Sequence, residues 1–138
     1  MNHEPSGAER WLIWTLRGIG GLEAVAFLAM VMPTSWMIAA HQGLGMGELV
    51  ATPILQYLTR TISALYGCLG LLQILISFDL PRYRPVITFL GWTHVVLGPA
   101  VFYLDSWAGL PGHWTWLEGP PILLLGLLYL ALARRIRG

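Results

Sequence analysis

The sequence predicts an all-α membrane protein: a bundle of four transmembrane helices with the N- and C-termini on the cytoplasmic side. Three observations predict it. Hydrophobic residues make up 56% of the 138-residue chain and charged residues 11%, well short of the roughly 25% charged that a soluble domain carries. Four apolar runs each have about the length, ~17–25 residues, that a helix needs to cross hydrocarbon. The connections between them alternate between Arg-bearing and Arg-free.

Taken in order, the first run is Trp11 to Met32 (11-32), ended by Pro33-Thr34-Ser35. The second is Ile54 to Phe78 (54-78), with Thr52 as the N-cap candidate and Pro53 at the first helical position, where a missing N–H costs nothing. The third is Pro85 to Leu104 (85-104). The fourth is Leu117 to Ala133 (117-133), opened by Pro120-Pro121 and closed by Arg134-Arg135-Ile136-Arg137. None shows the alternation expected of membrane β-barrel strands. Spans of this length occupy most of the chain, which reads as a single integral membrane domain, 1-138, with no room for a second, soluble one.

Orientation follows from the arginines, which supply all eight cationic side chains. Arg10 and Arg17 flank the entry of the first span, Arg82 and Arg84 lie between the second and third, and Arg134, Arg135 and Arg137 follow the fourth. The connections Pro33–Pro53 and Asp105–Trp116 contain neither Arg nor Lys. Basic loops stay in the cytoplasm, so both ends are placed inside and the chain in the inner (cytoplasmic) membrane. Trp36, Trp107, Trp114 and Trp116 then gather at the outer boundary, and Trp11 and Trp14 at the inner one, as an interfacial aromatic belt requires. Retention of the first span is the better reading than cleavage. Ile38-Ala39-Ala40 offers small residues, but the apolar stretch exceeds the usual 7–15 of a leader, and Glu4 and Glu9 precede it.

The first outer connection is long. Trp36, Met37 and Ile38 at its start suit a short helix lying in the membrane interface, and Gly43-Leu44-Gly45-Met46-Gly47 then reads as turn chemistry rather than a phosphate loop. The inner connection Phe78–Pro85 makes the second and third spans an antiparallel hairpin. Asp79 is a capping candidate there, and Arg82 and Arg84 suit anionic lipid head groups.

Ionisable groups at membrane depth cost about 2.5–3.5 kcal/mol on insertion scales and so mark candidate sites. Glu23, Arg60 and His94 are such groups. Counted from the outer ends of their runs at 1.5 Å per residue, they lie ~13, ~9 and ~15 Å deep. Arg60, Ser63, Ala64 and Gly67 share one helical face. So do Gly20, Glu23, Ala24 and Phe27, and so do Gly91, His94 and Gly98. Small residues let backbones approach, so these faces are expected to meet neighbouring helices, with Glu23 paired to Arg60 and His94 near both. Tyr66, Gln73 and Ser77 form a further polar stripe, whose ordinary role is interhelical hydrogen bonding.

At the outer side, His41, Glu48, Asp105, His113 and Glu118 make a second constellation. Its spacing matches no metal motif, so no metal site is assigned. A carboxylate at Glu118, beside Gly119-Pro120-Pro121, favours a helix N-terminus electrostatically. The candidate binding residues are therefore Glu23, Arg60, Ser63, Tyr66, His94 and Glu118. The catalytic residues and any cofactor stay unassigned. A haem is disfavoured because His94 is the sole histidine at mid-membrane depth. The single cysteine, Cys68, allows no intramolecular disulfide, and a net charge of +1 excludes a nucleic-acid partner.

The stretch from Met32-Pro33 through Arg60-Thr61-Ile62-Ser63-Ala64-Leu65-Tyr66 to Asp79-Leu80-Pro81-Arg82-Tyr83-Arg84-Pro85, continued by Trp116-Leu117-Glu118-Gly119-Pro120, resembles a group of small bacterial membrane proteins. In general architecture these are similar to the DoxX-like four-helix proteins, some of which are associated with quinone-linked oxidoreductase complexes. The resemblance implies a fold and a membrane location and brings no catalytic motif.

Three functional classes follow. The leading one is a non-enzymatic component, either an accessory subunit or a binder of a lipid or hydrophobic small molecule, with membrane lipids, other membrane subunits or a second copy as partners. The second is an intramembrane redox or lipid-modifying enzyme component using Glu23, Arg60 and His94, the histidine as proton shuttle. The third is a proton-coupled transporter acting as an oligomer, for which broken helices or an inverted repeat would speak.

Overall fold

A computed structural model of the chain describes residues 4–136. It is all-helical, with six segments: α1 (Gly7–Ala24), α2 (Ala26–Val31), α3 (Thr34–Gly43), α4 (Pro53–Ile76), α5 (Leu80–Ala108) and α6 (Gly112–Ala133). Four helices are long and apolar enough to cross a membrane: α1 with α2 as one stretch, Gly7–Val31, then α4, α5 and α6. Leu22, Leu65, Phe89, Val96 and Leu124 are each more than half exposed. An exterior of that kind suits lipid rather than water.

The helices run further than the apolar runs suggest, and their caps explain why. Ser6 and Glu9 form a reciprocal box at the start of α1. The Ser6 N–H donates to Glu9 Oε2 at 2.7 Å, and the Glu9 N–H donates to Ser6 Oγ at 3.3 Å. Thr52 caps α4 by accepting from the Leu55 N–H, and Pro53 opens it, as the sequence predicts. Asp79 caps α5, its carboxylate accepting from the Arg82 N–H at 3.2 Å. With that cap in place α5 begins at Leu80 rather than Pro85, and Pro85 and Pro99 lie inside it. Gly109, at φ 72°, ends α5 in the left-handed conformation that glycine adopts without strain. α6 begins at Gly112 after Pro111 and runs through Pro120 and Pro121. Between α1 and α2 the ladder tightens for one residue, with Leu28 N–H donating to the Val25 carbonyl.

The chain divides into two compact units, Leu16–Leu75 and Met1–Thr15 with Ile76–Gly138. In Leu16–Leu75, α1 and α2 run antiparallel to α4 with their backbones nearly touching. A methyl group on Gly20 would lie 2.6 Å from the Gly70 carbonyl oxygen, and one on Gly67 would meet the Phe27 ring at 2.5 Å. Towards the other end of this pair the Thr34 hydroxyl donates to Gln56 Oε1 at 3.0 Å. α3 follows immediately, and Gly45 and Gly47, at φ 71° and 85°, make the turn after it. The small-residue faces of the first two spans therefore meet each other.

In the second unit, α5 and α6 form the other close hairpin. A methyl on Gly98 would lie 2.6 Å from the Leu123 nitrogen, and one on Gly126 would lie 2.7 Å from the Gly91 oxygen. Phe102 and Trp116 stack edge to face, ring centroids 5.1 Å apart. The start of α1 belongs to this unit too, where Pro5, Glu9 and Ile13 with Ser77–Pro81 border a cleft of about 290 Å³. Leu12, Ile76, Ile87 and Tyr129 are fully buried.

Candidate functional site

Arg60 and Glu23 are expected from the sequence to pair. They do not. The Arg60 guanidinium donates through Nη1 to the Met30 carbonyl at 2.5 Å and through Nη2 to the Met32 carbonyl at 3.1 Å. Both carbonyls belong to the end of α2, where the chain turns through Pro33 into α3 and the helix has no further N–H groups to offer them. Arg60 is thus a side-chain cap across two helices. Glu23 sits against Gly70 and accepts from Gln73 Nε2 at 2.5 Å.

The register of the two helices accounts for the difference. Gly20 lies against Gly70, Phe27 against Gly67, and Met30 against Arg60. Gly70 follows Arg60 by ten residues, about 15 Å along a helix axis. Depth counted from Met32 on one run and Ile54 on the other treats those residues as level. In the structure Met30 is level with Arg60 instead, and α4 continues beyond it to Gln56 beside Thr34.

Of the remaining candidates in this unit, Ser63 is buried on α4 and Tyr66 is exposed. His94 and Glu118 belong to the other unit. His94 is buried, and its Nδ1 lies 2.7 Å from the Leu90 carbonyl. A carbonyl only accepts, so Nδ1 carries a proton and donates it to Leu90. The ring also meets Tyr129 edge to face, at 5.7 Å between centroids.

Glu118 is half-buried. It accepts a hydrogen bond from the Trp114 side chain one turn earlier on α6 and lies within Coulombic reach of Asp105 on α5. Asp105 is 7% exposed, and among the described residues nothing donates to its Oδ2. Of the outer constellation the structure therefore brings Asp105 and Glu118 together. His41 and Glu48 fall in Leu16–Leu75, the histidine engaged with the Gly47 carbonyl. Among the described residues no three of His, Cys, Asp and Glu converge to hold a metal.

Sequence reasoning places Asp105 in a loop and leaves out Gln73 as the partner of Glu23. A signal existed for the first. Asp105 follows His94 by eleven residues, three helical turns and so the same face, and Gly109 marks where the helix stops. For Gln73 the signal was weaker, since only the Gly20–Gly70 register brings its side chain within reach of Glu23.

No family model, no curated protein and no solved structure matches this chain.

Proposed function

We propose that this chain is a multi-pass inner-membrane protein, with both termini cytoplasmic, that binds a lipid or another hydrophobic small molecule without transforming it. One observation carries the reading. The α5–α6 hairpin holds a buried carboxyl group, Asp105, whose Oδ2 receives no donor among the described residues. A buried polar atom without a donor costs about 1–3 kcal/mol, and a bound polar head group would relieve that cost. The positions of Arg10, Arg82, Arg84, Arg134 and Arg135 support the orientation. The likeness to the DoxX-like group agrees with such an architecture and adds nothing about activity.

A second reading, an intramembrane enzyme component, rests on His94 alone, a buried imidazole held through Nδ1 by the Leu90 carbonyl. Glu23 and Arg60 give it little support, because each is already engaged within its own unit.

Extraction into native lipid discs followed by mass spectrometry tests the first reading. The expected result is a hydrophobic molecule retained at about one per chain and enriched over bulk lipid. A disc composition equal to that of the surrounding membrane would remove the reading's support. Turnover of the retained molecule that disappears in His94→Ala would move the assignment to the second.

A further inference from the structure

We propose that Asp105 and Glu118 bind the protonated amino group of an amphiphile, at the end of the α5–α6 hairpin that carries the interfacial tryptophans. This rests on the reading of the chain as a binder of hydrophobic molecules and adds the charge and chemistry of the head group.

Gly119 packs against Phe102 across the hairpin, which sets Asp105, a turn beyond Phe102, and Glu118, beside Gly119, at the same end of the α5–α6 contact, where their like charges oppose each other. Proximity alone would indicate nothing. The second fact is the burial of Asp105, at 7% exposure, with Oδ2 receiving no donor from any described residue. A buried carboxylate is stable only with donors or a counter-charge, and a neighbouring carboxylate supplies neither.

The kind of cation follows from what surrounds the pair. A hard divalent ion takes six to eight oxygen ligands, and no third His, Cys, Asp or Glu joins these two among the described residues. An ammonium group needs less. It has three donors and no acceptor, which matches acceptor-only carboxylates, and its charge-assisted bonds are roughly twice as strong as neutral ones. The Trp114 indole, already hydrogen-bonded to Glu118, adds an aromatic face of the sort cations favour.

The rest of the molecule would be apolar. Along the faces that carry the two acids, one turn into the hairpin, come Val101 on α5 and Ile122 on α6, with Leu125 a turn further. Charge at the tryptophan-rich end and hydrocarbon beyond it describe an amphiphilic amine. Its source is either the amino head group of a membrane lipid or a free long-chain amine.

The full chain in phosphatidylcholine nanodiscs, with empty discs subtracted, is titrated calorimetrically with dodecylamine and with dodecanol. Dodecylamine is expected to saturate at one per chain, at least tenfold tighter than dodecanol. Asp105→Asn and Glu118→Gln, each isosteric and checked for retained helicity, are expected to bring the amine down to the alcohol's affinity and leave the alcohol unchanged. Equal binding of amine and alcohol overturns the amine assignment while hydrophobic binding stands. If neither ligand saturates, the underlying reading falls as well. A persistent amine preference in both variants overturns the role of the pair. Discs doped with phosphatidylethanolamine separate the sources: displacement of dodecylamine identifies a lipid head group, and no displacement a free amine.

Discussion

Arg60 is the side chain whose role the structure changes most. A guanidinium offers five N–H donors, and here Nη1 and Nη2 take the Met30 and Met32 carbonyls at the end of α2. Arg60→Leu leaves both without that donor, so a loss of about 2–3 kcal/mol is expected in reversible unfolding in mixed micelles. Glu23 shares no partner with Arg60. In a double-mutant cycle on Glu23→Ala and Arg60→Ala the two effects should add to within ~0.5 kcal/mol, whereas Glu23→Ala and Gln73→Ala should couple by at least that much. Coupling above ~1 kcal/mol between Glu23 and Arg60 would restore the ion pair. Glycines give a sharper contrast. Gly98→Ala would press a methyl group onto the backbone of α6 at Leu123 and Gly119, at an expected cost of about 1–3 kcal/mol. Gly18→Ala has open space around it and should stabilise by up to ~1 kcal/mol through helix propensity. The packing role of Gly20, Gly67, Gly91 and Gly98 was legible in their spacing. The partners of Glu23 and Arg60 were not, because hydropathy fixes depth only to within a turn or two and says nothing about register between helices.

At the scale of elements, the number and order of the long helices were legible, since lipid-length apolar runs have few other uses. Their ends were less so. Pro85 and Pro120-Pro121 read as helix openings, yet all three lie inside helices that caps had already started: Asp79 for α5, and Pro111 for α6. The capping box Ser6-Gly7-Ala8-Glu9 was also written in the sequence, ahead of the first apolar residue. Polar and aromatic first turns, such as His113 to Trp116, hide a helix from any reading that starts with hydrophobicity. The stop signal at Gly109 is testable. Its φ of 72° is strained for any residue with a Cβ, while nothing lies within 4 Å of where that atom would be. Gly109→Ala should therefore cost about 1–2 kcal/mol from backbone conformation alone. Gly112→Ala, also in open space and without the positive φ, should be near neutral in the same melt. Equal effects at the two positions would mean that the left-handed turn is not what ends α5.

For the whole molecule, the strongest physical constraint is that its outside is as apolar as its inside. Leu65, Phe89, Val96 and Leu124 face outward while Gln73, Ser77, His94 and Asp105 are buried, the reverse of the distribution that water selects. Cys68 tests this directly, because it is the chain's one thiol and lies exposed in the middle of α4. Thiols react as thiolates, which need water to form. In intact membranes Cys68 should resist a sulfonated maleimide that cannot enter lipid, and should react once the chain is unfolded in detergent. In a Cys68→Ser background, a cysteine at Met46 should label from outside in intact cells. One at Asp79 should label only after permeabilisation, because the proposed orientation puts the Arg-bearing turn on the cytoplasmic side. Rapid labelling of Cys68 in sealed membranes would mean that water reaches that face of α4, and the four helices would then have to be packed against protein or a pore instead of lipid. Labelling at Asp79 from outside would keep the helices and invert the map, placing the acidic pair of Asp105 and Glu118 at the cytoplasmic boundary.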